Sequence, residues 1–294
     1  MDTNKIDRVK LSDVTWKKEI ITEGIWGNRP RESAKCIVII ENIVAENITL
    51  DEIQPHMSCY LNSDFGNTLF IGEADTDLDR CFDKALRSML KREVSKFILT
   101  FTLRLDCGEM ENSTGNIKCV VFIKEIYNEP YIFEWSDSKK YHVAMQHKIR
   151  GVELYNSGRI RDAFWRFSKG LKLLITMIPL DYENEITHSR DEILALRVIL
   201  CNNIASCHLT HKNYPETIAM CNKVLQIEPS NIKALFRRAT SEIELQNYEK
   251  AREDLNNIFG LEPENKAAKV KLNELLKKQK KYDAKLADAM KKLF

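Results

Sequence analysis

Apolar and polar positions follow different periods in the two halves of this chain. Between residues 14 and 128, β-branched and apolar runs recur between polar turns: Ile37 to Ile43, Phe97 to Leu105 and Cys119 to Ile126. Such runs predict strands. One stretch there changes period. Leu78, Phe82, Ala85, Leu86 and Met89 share a helical face, and Thr76 or Asp77 is placed to cap it. Mostly strand with one helix on a face describes an α+β domain. Helical spacing then takes over. Leu235, Arg238, Ala239 and Glu242 mark one helix, and Ala251, Leu255 and Ile258 the next.

The helical half is also periodic on a longer scale. Asn203-Ile204-Ala205, Tyr214 and Pro229 are each followed, 34 residues later, by Arg237-Arg238-Ala239, Tyr248 and Pro263. A small residue, an aromatic and a closing proline at this period resemble the tetratricopeptide repeat, a helix–turn–helix unit. Thr217 stands where the second repeat should have alanine, which predicts a modest local strain. An earlier, less regular copy places Gly151 at the small position, with Ala163, Phe167 and Gly170 in its second helix. Its distance to Ala205 is 54 residues, so a lengthened second helix and a loop are expected in 171–192. After the repeats, Val270, Leu272, Leu275 and Leu276 start a capping helix that turns basic from Lys277 onward. That basic end, with Leu286, Met290 and Phe294, has the composition of a calmodulin target, although a solvated extension of the cap is the favoured reading. The expected organisation is a tail (1–13), the strand-rich domain (14–128), a linker (129–140), three repeats in 141–265 (about 144–180, 198–231 and 232–265), and the cap with its extension (266–294).

Composition removes several functions. With 294 residues two domains are the default, and 45 basic against 43 acidic residues leave a net charge of only +2. No global field attracts nucleic acid. Eight cysteines and six histidines show no metal spacing, and several cysteines sit in apolar runs, as expected of buried reduced thiols. His208 is expected to be a packed core histidine. No phosphate-binding glycine loop or nucleophile motif appears, so neither cofactor nor metal is expected. No leader or membrane-spanning stretch is apparent. The cytosol or the nucleus is the expected location, and the glycosylation-type matches at Asn47 and Asn112 are attributed to chance.

In stacked repeats the first helices line a groove, so their polar residues carry the chemistry. Lys233 and Arg237 share a helical face, Asn203 holds the repeat position of Arg237, and Lys148 lies three residues before Gly151. Cations brought together in this way repel one another unless an anion completes them. The set resembles the two-carboxylate clamp with which tetratricopeptide co-chaperones hold the C-terminal Glu-Glu-Val-Asp tail of Hsp90 or Hsp70. Lys148, Asn203, Lys233 and Arg237 match that clamp. A fifth position, an asparagine in the clamp, is Val152, which cannot donate to a carboxylate.

The strand-rich half, followed by such repeats, resembles the FK506-binding immunophilins. Val14 to Gly24 looks like their opening strand, Lys35 to Ile43 like the next, and Leu78 to Met89 like their single helix, with Asp83 and Met89 retained. The resemblance implies a degenerate antiparallel sheet of the FKBP type with one helix, then an all-α domain of three repeats and a cap. It also implies a lost activity. Active members twist an X-Pro bond against a barrier of about 18–20 kcal/mol. Here their strand tyrosine is Ile40, their floor tryptophan is Phe82, no counterpart of the pocket aspartate is found in Asn47 to Asn67, and Leu105 to Glu109 lacks the loop tyrosine. The expected function is therefore a non-catalytic adaptor that joins an Hsp90- or Hsp70-type tail to an unidentified client. The alternatives are a weak prolyl isomerase and a scaffold indifferent to carboxylates.

Overall fold

The computed structural model describes residues 9–47, 58–61, 66–105, 113–177 and 190–291. The chain divides into two compact units, Met1–Glu134 and Trp135–Phe294.

In the first unit, β1 (Val9–Thr22), β2 (Lys35–Glu46), β3 (Thr68–Phe70), β4 (Val94–Leu105) and β5 (Ser113–Tyr127) form one sheet in the order β1-β4-β5-β2-β3. All its pairings are antiparallel. Helix α1 (Asp77–Leu86) packs on β1 and β4. Strand alternation sends Phe97, Leu99 and Phe101 of β4, and Ile117, Cys119, Val121 and Ile123 of β5, toward Leu78, Phe82, Ala85 and Leu86 of α1. Thr76 caps the helix by accepting from the Asp79 amide at 3.0 Å. The pairing of β1 with β4 shifts register between Ser12 and Thr15, and that of β2 with β5 between Glu41 and Val44. Asp13 and Asn42 sit in these shifts with φ of 54°. Asp and Asn tolerate this left-handed conformation better than most residues. The short β3 is an element that the sequence pattern did not predict.

The second unit is all helical: α2 (Asp137–Asn156), α3 (Ile160–Ile175), α4 (Arg190–Thr210), α5 (Tyr214–Ile227), α6 (Ile232–Glu244), α7 (Tyr248–Leu261) and α8 (Lys266–Lys291). Successive helices pack together from α2 to α8; α4 also touches α2 and α6, and α8 also touches α6. Ala163, Ala205, Ala239 and Ala251 are fully buried where the helices of each repeat meet. At Gly151 a Cβ would lie 2.5 Å from the ring of Phe167, which is itself buried, so only glycine fits there. The 34-residue period reappears in the turns. Lys212 and Gln246 both take left-handed φ values, 59° and 64°, and in the first repeat Gly158 does so at 80°. The Asn231 and Asn265 side chains cap successive helices by accepting from Ala234 N (3.0 Å) and Ala268 N (2.9 Å).

Several expectations are corrected. Helix α3 has 16 residues against 14 in α5 and α7, so the second helix of the first repeat is hardly lengthened. The surplus goes instead into α4, which begins at Arg190 and runs for 21 residues, and into 178–189, outside the described residues. By length and composition α4 could also cross a membrane, contrary to the expectation that no stretch approaches a span. Its Ile193, Leu196, Leu200 and Ile204 are buried within the unit, as in a core helix. In α8 the buried residues are Ala268 and Leu275, while Val270 and Leu276 are exposed. Ala268, Leu272 and Leu275 recur at helical spacing, and Val270 and Leu276 fall off that face. Thr217 is fully buried, and its hydroxyl donates to the Asn213 carbonyl at 2.8 Å, so the substitution is satisfied locally. His208 is half-buried, with its ring 5.1 Å from that of Phe164, and burial lowers its pKa. Six cysteines are buried as expected (36, 81, 119, 201, 207 and 221), but Cys59 is exposed and Cys107 lies outside the described residues. Burial pushes the Cys36, Cys119, Cys207 and Cys221 thiols up to about 12.

Candidate functional site

The four basic and amide residues singled out in the sequence lie on α2, α4 and α6, and α4 packs against both of the others. Lys148 is half-buried on α2, Asn203 is half-buried on α4, and Lys233 is exposed in the first turn of α6. None of the three makes a hydrogen bond or ion pair with a described residue. Val152, one turn beyond Lys148, is 36% exposed and presents only methyl groups. Tyr155, on the next turn of α2, joins α4 through its hydroxyl and Ser206 Oγ at 2.8 Å.

Arg237 and its neighbour Arg238 have opposite environments. Arg238 donates through Nε and Nη2 to both oxygens of Asp254, at 2.9 and 2.7 Å, and through Nη1 to Asn222 at 2.7 Å. This forked contact raises its pKa and ties α6 to α7. Arg237 is half-buried, and burial lowers its pKa. Among the described residues the one hydrogen bond of its side chain goes to a neutral group, the amide oxygen of Asn202, at 3.1 Å. Tyr155, Cys207 and Cys221 are its other electrostatic neighbours, and among the described residues no carboxylate pairs with it. The first turn of α6, where helix dipoles favour acids, holds Lys233 and no acidic residue. Two cations on one helical face, one of them desolvated, thus stand without a counter-charge among the described residues.

Asn202 was not picked out from the sequence, although a polar residue 34 positions before Phe236 was a usable signal. It is 7% exposed.

In the strand-rich unit, Ile40 is half-buried against the same core that contains Phe82. Phe82 is 1% exposed and meets Tyr60 and Phe97 edge-on, at ring separations of 5.9 and 5.5 Å. Tyr60, also missed in the sequence, is buried and donates to Asp83 Oδ1 at 3.2 Å, while Asp83 Oδ2 accepts from the Gly72 amide at 2.7 Å. Burial and the Asp83 carboxylate push the Tyr60 hydroxyl well above its ordinary range. One turn earlier, Asp79 accepts from Ser58 Oγ and from the Cys59 amide, the latter at 2.7 Å. Burial raises its pKa despite those bonds. The segment 58–60 is therefore fastened to α1 over the place where Phe82 lies. Residues 106–109, where the loop tyrosine was sought, are outside the described residues. At the basic end of α8, Leu286 and Met290 are about half exposed. Among the described residues no cluster of histidine, cysteine and acidic side chains is arranged for a metal.

Residues 10–128 match the family described as BDBT FKBP like N-terminal. The human FK506-binding protein-like protein is 31% identical over 162 residues, covering 55% of this chain and 43% of its own length. Peptidyl-prolyl cis-trans isomerase FKBP4 from Bos taurus is 27% identical over 225 residues, covering 74% of this chain and 48% of its own length. The chain thus spans less than half the length of these curated relatives. The crystal structure of residues 1–211 of CG17282 is similar in fold, with a TM-score of 0.52 at 20% identity over 73% of this chain and 95% of that one. With an FKBP-like domain over residues 10–128 followed by a helical unit of tetratricopeptide-like repeats, the chain is similar to the FK506-binding immunophilins.

Proposed function

We propose that the helical unit is a carboxylate clamp for the acidic C-terminal tail of an Hsp90- or Hsp70-type chaperone, and that the chain is a co-chaperone adaptor. The observation that carries this is the Arg237 guanidinium, half-buried and bonded only to an amide, on the same helical face as the unpartnered Lys233. A buried cation without a counter-charge is costly unless a ligand supplies one. A tail ending in aspartate offers an α-carboxylate beside a side-chain carboxylate, which suits a guanidinium and ammonium groups together. Lys148 and Asn203 add donors from the neighbouring helices, and Val152 contributes contact without a hydrogen bond. The test is fluorescence anisotropy with a labelled peptide ending Met-Glu-Glu-Val-Asp, its C-terminal amide, and the Lys233→Glu variant. Micromolar binding to the free acid is expected, weakened in both controls and by added salt. Failure of the free acid to bind at low salt would retire the clamp in favour of a carboxylate-independent scaffold.

The strand-rich unit is proposed to contact a client without catalysis. Supporting this, the residue at the floor position, Phe82, is covered by Tyr60, whose hydroxyl is held by Asp83. A proline-isomerisation assay with a tetrapeptide should give the uncatalysed rate. Measurable acceleration by the purified chain, abolished by a substitution at Phe82 or Ile40, would restore the isomerase reading.

A further inference from the structure

We infer that Asn202 is a positioning residue for Arg237, and that its neutrality is what keeps the anion site open; this rests on the clamp reading above. A directed chain of hydrogen bonds runs through it. Asn231 Nδ2 donates to Glu228 Oε2 at 2.8 Å. Asn231 Oδ1 accepts from the Ala234 amide at 3.0 Å and from Asn202 Nδ2 at 3.4 Å. Asn202 Oδ1 in turn accepts from Arg237 Nη1 at 3.1 Å. Each amide therefore has one orientation: turned over, Asn202 would present its NH2 group to a guanidinium that can only donate. The chain links α4 to the turn before α6 and to the charged residue one turn further along α6.

The chemistry at position 202 has two requirements. It must accept a hydrogen bond, so that a half-buried guanidinium is held in one orientation. It must also carry no charge, because a carboxylate at this distance would neutralise Arg237 and occupy the place of the ligand. Arg238 shows that second outcome: with Asp254 as its partner it has become a structural tie. Asparagine meets both requirements, and aspartate meets only the first. Leucine meets only the second, and it should fold, since the same repeat position one period later is the half-buried Phe236.

The test uses the full chain as wild type, Asn202→Asp and Asn202→Leu, each checked for helical circular dichroism. Two readouts are taken: affinity for the Met-Glu-Glu-Val-Asp peptide and rotation of the Arg237 guanidinium by side-chain NMR, assigned by its loss in Arg237→Lys. Wild type should show slowed rotation. Asn202→Asp should keep it slow yet bind at least about tenfold more weakly, with a shallower salt dependence. Asn202→Leu should free the rotation and also bind about tenfold more weakly. Wild-type affinity in both variants would overturn the inference. If wild type itself does not bind the peptide, the clamp falls, and the positioning role is decided by NMR alone: unchanged rotation in Asn202→Leu would sink it, and freed rotation would sustain it.

Discussion

Replacing Arg237 by alanine should abolish binding of the acidic tail while leaving the helical unit as stable as before, or slightly more stable. Truncating the cationic half of a buried charged hydrogen bond costs about 2–5 kcal/mol of affinity, roughly thirtyfold to a few thousandfold. In the free protein the same change removes a cation whose desolvation no carboxylate offsets. Against that gain stands the amide oxygen of Asn202, which loses its partner at a cost of about 1–3 kcal/mol. The two effects are of similar size, so little net change in the urea midpoint is expected. Arg238→Ala should behave in the opposite way. It leaves Asp254, 4% exposed at its side chain, without its forked partner, and breaking such a pair costs about 3–5 kcal/mol of stability. Two adjacent arginines would then divide cleanly between binding and folding. Anisotropy titrations beside urea denaturation check both. Unchanged peptide affinity in Arg237→Ala, with Arg238→Ala folded and equally stable, would show that the assignment of roles is wrong.

The repeats were legible because each period repeats its own constraints. Ala205 and Ala239 are buried at equivalent helix crossings, and Lys212 and Gln246 turn with the same left-handed backbone. A local requirement copied at a fixed offset is visible without knowing the fold. Candidate groove residues followed by the same offset, as Asn203 and Arg237 did. The same offset pairs Asn202 with Phe236, which marks a polar residue at an apolar repeat position but not its partner, because the group it bonds is Arg237 from another helix. The start of α4 was missed for a related reason: Arg190 to Leu196 precede the repeated unit, so nothing later in the chain has to match them.

In the strand-rich unit the alternation of β4 and β5 was readable, since each strand buries alternate residues, from Ser95 to Phe101 and from Ile117 to Ile123. The three residues of β3 are too few to show a period. Tyr60 was hidden because its burial comes from contacts with Asp83 and Phe82, 23 and 22 positions away, and no local spacing encodes them.

Those contacts carry the second large effect. Phe82→Ala should lower the stability of the strand-rich unit by about 3–5 kcal/mol, the usual cost of emptying a fully enclosed aromatic site. The ring is 1% exposed and packs edge-on against both Tyr60 and Phe97, so truncation removes two aromatic contacts as well as buried area. Collapse around the void is restricted, because Tyr60 is tethered to Asp83 and the 58–59 backbone and side chain to Asp79. With a urea slope of about 1–3 kcal/mol per molar, the midpoint should fall by more than about 1 M. Trp16, whose ring lies 6.3 Å from that of Phe97, is placed to report the transition by fluorescence. Phe82→Trp, which returns the residue found at the floor of active relatives' pockets, should also destabilise, by about 1–3 kcal/mol, because the enclosed site has no room for the larger ring. Tyr60→Phe should cost less, since it leaves the packing in place and removes one hydroxyl. A Phe82→Trp variant as stable as wild type would mean that the site still holds a cavity of indole size, and the isomerase pocket would then have to be regarded as open.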